Sequence, residues 1–122
     1  MSEAQRRFQR FIVSAGAFKG QRVKAAGMFG LVKRWGECKV HDISQAGALV
    51  LSKTTFDMGD AVVIELEPID GTVMRFDGEV VNLGREHSSG LYKLGVRLLA
   101  PKPGTTEMEF LDTLEQRFKI CP

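Results

Sequence analysis

Between Phe11 and Leu99 the apolar residues come in short bursts, each closed off by turn residues. GALVLSK (47–53) and AVVIELE (61–67) are rich in Val, Leu and Ile and predict strands. Asp57, Gly59 and Asp60 mark the turn between them. IDGT (69–72) sets Asp-Gly between two apolar runs, a hairpin signal. In VMRFDGEVVNL (73–83), Val73, Arg75 and Asp77 share one parity and Met74 and Phe76 the other, with Gly78 expected at a bulge or bend. REHSSG (85–90) reads as a polar loop and LYKLGVRLL (91–99) as a further strand. The stretch from Phe11 to Lys39 contains Gly16, Gly20, Gly27, Gly30 and Gly36 and predicts two or three short strands of open register. Six or so short strands at roughly ten-residue spacing predict a closed or nearly closed antiparallel barrel.

The tail changes period. PKPG (101–104) stops the last strand, and residues 105–119 read as a helix. Thr106 with Glu109 fits a capping box. Leu111, Leu114 and Phe118 fall on one face with Met108 near it, so the helix is expected to pack on the barrel. Acidic residues near its start and Arg117 and Lys119 near its end suit the helix dipole. The fold class expected is therefore mainly β: a small six-stranded antiparallel barrel with a C-terminal helix packed on it. The 122 residues fit one domain.

Charge sharpens the picture. Residues 1–40 hold nine Lys/Arg against Glu3 and Glu37, a net +7, while the rest of the chain nets −5. The first third is expected to meet an anion: a nucleic acid, a membrane surface or a small phosphate ligand. Arg6, Arg7 and Arg10 fall within five residues, interleaved with Phe8 and Phe11. No apolar run approaches the ~18 residues that cross a bilayer. The basic N-terminus lacks the apolar core of a signal peptide, so the expected compartment is the cytoplasm. Cys38 and Cys121 form no CxxC and have only His41 near as a co-ligand, so neither a disulfide framework nor a metal site is expected.

A second constellation is VHDISQAGALV (40–50), where Asp42, Ser44 and Gly47 form Asp-x-Ser-x-x-Gly before a strand. Taken alone it is a turn: Asp and Ser bond to nearby backbone, and Gly supplies a positive φ. Taken with Arg6-x-x-x-Arg10, and with MGDAVVIELE, GEVV and YKLGVRLL following in order, the sequence resembles the PilZ domain family over most of its length.

The resemblance implies a bacterial receptor for cyclic di-GMP, with Arg6, Arg10, Asp42, Ser44 and Gly47 as ligand-binding residues and Arg7 as an auxiliary one. Residues 1–10 become a flexible arginine-rich flap, 11–100 the barrel and 105–119 the helix of a single domain. The chemistry suits the ligand's two phosphates and two guanines. A guanidinium grips phosphate bidentately, donates to guanine O6 and N7, and stacks on a purine. A carboxylate complements the guanine N1–H and N2–H₂ edge. Such charge-assisted bonds contribute roughly 1.5–3 kcal/mol each. The flap would fold over the nucleotide, and the resulting change of shape would pass to an effector protein not identified by the sequence.

Two rivals stand beside this. One is a PilZ-like adaptor that binds a protein and ignores nucleotides. The other is a small basic barrel for RNA or single-stranded DNA, using Lys33, Arg34 and Trp35. A pI near 8.7 and few aromatic platforms weigh against nucleic acid, and Trp35 is expected to pack on the barrel. No catalytic constellation emerges. His41 and His87 are the only histidines, and His41 is expected to point away from Asp42, as neighbours in a regular strand do. The chain is read as a non-enzyme without cofactor, bound to cyclic di-GMP, with no membrane insertion.

Overall fold

The computed structural model describes residues 7–26 and 35–122. Its strands are β1 (Phe11–Ile12), β2 (Phe18–Ala25), β3 (Gly36–Ile43), β4 (Gly47–Ser52), β5 (Ala61–Pro68), β6 (Met74–Arg85), β7 (Tyr92–Leu98) and β8 (Lys119–Ile120). Two short helices, α1 (Thr106–Asp112) and α2 (Leu114–Arg117), precede β8. The strand order β2-β5-β6-β7-β4-β3, with β3 pairing back to β2, makes a closed six-stranded antiparallel barrel. This is the mainly β fold expected, with a small C-terminal helix.

Alternation drives the closure. Met74, Phe76 and Val80 point inward from β6 while Arg75 and Asp77 face solvent. Val23, Val40, Val50, Ile64, Leu94 and Val96 complete the interior, each at most 3% exposed. Phe110, Leu111 and Leu114 join the same core, so the helix does pack its apolar face on the barrel. Phe110 sits 6.0 Å from both Phe18 and Phe76 in tilted ring pairs.

The region of open register resolves through β3. Its first residues pair with β2, Val23 opposite Gly36 and Arg22 opposite Glu37. Its last residues pair with β1, Phe11 opposite Ile43 and Ile12 opposite Asp42. Where the two partners part, the Gln21 side-chain oxygen accepts from the Val40 N–H at 2.8 Å and keeps that buried donor satisfied. β8 then pairs with the outer edge of β1.

Three local expectations change. The helix is capped by Thr105, not Thr106: its hydroxyl accepts from the Met108 N–H at 3.2 Å. It is also broken rather than continuous to 119. The Thr113 hydroxyl donates to the Glu109 carbonyl at 2.8 Å, and after one further turn Phe118 is extended and leads into β8. Pairing with β1 and the edge contact of Phe118 with Phe110, at 6.1 Å, replace the last helical turn. Finally, Gly78 is no bulge. A Cβ there would meet Val96 Cγ1 at 2.5 Å and the Arg97 carbonyl at 2.8 Å, so glycine is required because β7 passes so close.

Candidate functional site

The bulges lie elsewhere and shape the site. On β3 the register steps from Val40↔Val50 to Asp42↔Leu49, leaving one extra residue at His41. On β6 it steps from Val80↔Val96 to Asn82↔Gly95, leaving one at Val81. A bulge bends its strand and re-aims side chains. Past the first, Ile43 takes over the inward position, and Asp42 stays with His41 on the outer face. His41 Nδ1 therefore lies 2.9 Å from Asp42 Oδ2, against the regular-strand expectation.

Asp42, Leu49, Gly95 and Asn82 consequently form one row across β3, β4, β7 and β6. Gly95 must be glycine here, because a Cβ would fall 2.7 Å from Asn82 Cβ. Leu49 and Gly95 in the middle of the row floor a cavity of about 480 Å³, which Arg10 and Asp42 line on the β3 side and Asn82, Leu83 and Lys93 on the β6–β7 side. Arg10 also borders a second cavity of about 600 Å³, which Arg7, Phe8, Ser44, Gly47 and Arg97 help to line.

Arg10 donates from its terminal nitrogen to Asp42 Oδ1 at 2.6 Å. The Asp42 side chain is only 6% exposed, whereas that of Arg10 is 49% exposed and faces the groove. The β3–β4 turn is held by Ser44, whose backbone N–H donates to the Gly47 carbonyl and whose hydroxyl accepts from the Ala46 and Gly47 N–H groups at 3.2 and 3.0 Å. The turn explanation of Ser44 thus holds in the geometry. For Gly47 the physical reason differs from a positive φ: a Cβ would lie 3.1 Å from the Val96 carbonyl.

Of the sequence-assigned residues, Arg10, Asp42, Ser44, Gly47 and Arg7 thus line two adjoining cavities. Arg6 lies outside the described residues, as do Lys33 and Arg34. Leu49, Asn82, Lys93 and Gly95 escaped the sequence reading. The one available signal was Gly95 inside a strand, which marks a close backbone approach. Trp35 is half-buried, and its ring already carries the Arg22 guanidinium at 4.4 Å and the Lys24 ammonium at 4.6 Å.

Burial pushes the Cys38 thiol up to about 12, so it stays protonated and unreactive at neutral pH. His87 is exposed on the β6–β7 loop. Among the described residues no three His, Cys, Asp or Glu side chains gather to hold a metal ion. No helix among them is long and apolar enough to cross a membrane.

The fold is a closed antiparallel barrel with charged side chains lining two cavities beside its β3–β4 turn. The PilZ domain model matches residues 4–115, and the chain belongs to that family. The family binds cyclic di-GMP, and its domains are known as receptors rather than enzymes. No curated protein matches the sequence.

Proposed function

We propose that this chain is a bacterial cytoplasmic receptor for cyclic di-GMP that reports occupancy to a protein partner. The single observation that carries the proposal is the Arg10–Asp42 pair on the wall of one cavity, with Arg10 bordering the second as well. Arg10 supplies a phosphate grip, and Asp42 an acceptor for the guanine donor edge. A carboxylate has about four lone-pair sites, so Asp42 keeps capacity for a ligand beyond Arg10 and His41. Ser44 and Gly47 build the turn on which the ligand rests. Arg6 completes the arginine pair and Arg7 assists.

The chain acts as one domain in this proposal, residues 1–10 forming a flap over the groove. The flap is tied directly to the C-terminal strand. The Arg10 carbonyl accepts from the Cys121 N–H at 2.9 Å, and Phe11 pairs with Ile120. Closure of residues 7–10 on a nucleotide would therefore displace β8 and the α2 end, a change of surface that a partner can read. The test is binding of labelled cyclic di-GMP to Arg10→Ala and Asp42→Ala, with thermal melting in parallel. Each variant should lose at least tenfold in affinity while still melting cooperatively. Wild-type affinity in either folded variant would remove that residue from the site.

A further inference from the structure

We infer that Lys93 is a specificity residue of this groove, a donor that reads the O6/N7 edge of the guanine whose adjoining N1/N2 edge Asp42 reads. The inference rests on the cyclic di-GMP assignment above and adds a residue that neither motif contains.

Lys93 stands on β7, two residues before Gly95, and lines the cavity that Asp42 and Arg10 wall on the other side. β4 alone separates β3 from β7, about 10 Å across by two strand spacings, and Lys93 stands two residues along β7 from Gly95, which shares the Asp42 row. Lys93 and Asp42 both border the same cavity of about 480 Å³. The floor suits a purine face: Leu49 and Gly95 are flat or apolar, and Leu83, 41% exposed, borders them. The Lys93 stem has open room beneath it. It runs over Gly84, where a Cβ would lie 3.8 Å from Lys93 Cβ and 3.9 Å from its Cδ. Its ammonium has no carboxylate partner among the described residues, unlike Arg10 with Asp42 and Arg97 with Glu79.

Donor and acceptor types decide the rest. Ionised Asp42 only accepts and Lys93 only donates, whereas the amide of Asn82 presents either an oxygen or a nitrogen and discriminates little. Guanine offers donors at N1 and N2 and acceptors at O6 and N7. Adenine replaces O6 with an amino donor, which an ammonium rejects. An accepting wall facing a donating wall therefore selects guanine over adenine.

The experiment measures dissociation constants of cyclic di-GMP and cyclic di-AMP for the wild type, Lys93→Met and Lys93→Arg, with melting temperatures alongside. The wild type should prefer the guanine ligand. Lys93→Met should lower that preference by about tenfold, the weight of one good base-edge contact, and Lys93→Arg should keep it. An equal loss for both ligands would make Lys93 a mere phosphate attractor and overturn the inference. An unchanged ratio in Lys93→Met would overturn it too, leaving the cyclic di-GMP assignment standing. A wild type that binds neither nucleotide would remove both.

Discussion

Arg10 and Asp42, 32 residues apart, meet at 2.6 Å on the wall of the groove, one half-exposed and the other nearly sealed. The partners act as a unit: Asp42 aims the guanidinium, and the guanidinium covers the carboxylate. Their effects on ligand affinity should therefore not add. A double-mutant cycle with Arg10→Ala and Asp42→Ala should give a coupling of about 1–2 kcal/mol in binding. On folding stability the pair should contribute at most about 1 kcal/mol, because Arg10 is screened by solvent.

Glu65 is a buried carboxylate with a structural task. It lies in a row of alternating charge, Glu37, Arg22, Glu65 and Arg75, across β3, β2, β5 and β6. Arg22 donates to one of its oxygens at 2.6 Å and Arg75 to the other at 2.9 Å. The Arg22 hydrogen bond first, and the Arg75 bond after it, hold the carboxyl below its ordinary range, although burial pushes the other way. A lowered folded value means stability that is present at neutral pH and lost as pH falls through that value. Glu65→Gln should thus lower the melting temperature at pH 7. The gap to wild type should narrow steadily as pH drops below the ordinary glutamate value of about 4.3.

Gly78 separates close packing from backbone freedom. A Cβ there meets both a side chain and the Arg97 carbonyl, and the carbonyl belongs to a paired strand. Gly78→Ala should destabilise the barrel by about 1–3 kcal/mol in urea unfolding. Gly84→Ala, whose nearest contacts are Lys93 atoms at 3.8 and 3.9 Å, should change stability little.

The helix cap gives a direct contrast between adjacent threonines. Thr105→Ala removes the acceptor of the Met108 N–H and should cost about 1 kcal/mol. Thr106→Ala should stay within about 0.5 kcal/mol. Chemical denaturation of the two variants distinguishes them.

Much of this molecule is legible in its sequence because alternation and turn chemistry act locally. The β5–β6 hairpin at Asp70-Gly71, the inward parity of Met74 and Phe76, and the turn at Gly59 all follow from neighbouring residues. What escaped is set by distant parts of the chain. The bulges at His41 and Val81 follow from how β3 and β6 meet β4 and β7, and local alternation predicts the opposite direction for Asp42. The helix stops early because residues 119–120 pair with β1, a strand more than a hundred residues away. The site divides in the same way. Its motif residues Arg10 and Asp42 stand out as charge and pattern, whereas Lys93 becomes visible only once Gly84, Gly95 and Leu49 are placed around it.

The central claim is recognition of a guanine dinucleotide, and calorimetric titration of cyclic di-GMP into the purified wild-type chain tests it most directly. GTP and cyclic GMP serve as controls. Cyclic di-GMP alone should give a saturable heat, with a stoichiometry that counts the bound nucleotides. A folded protein that gives no heat with cyclic di-GMP, or responds equally to GTP, would contradict that claim.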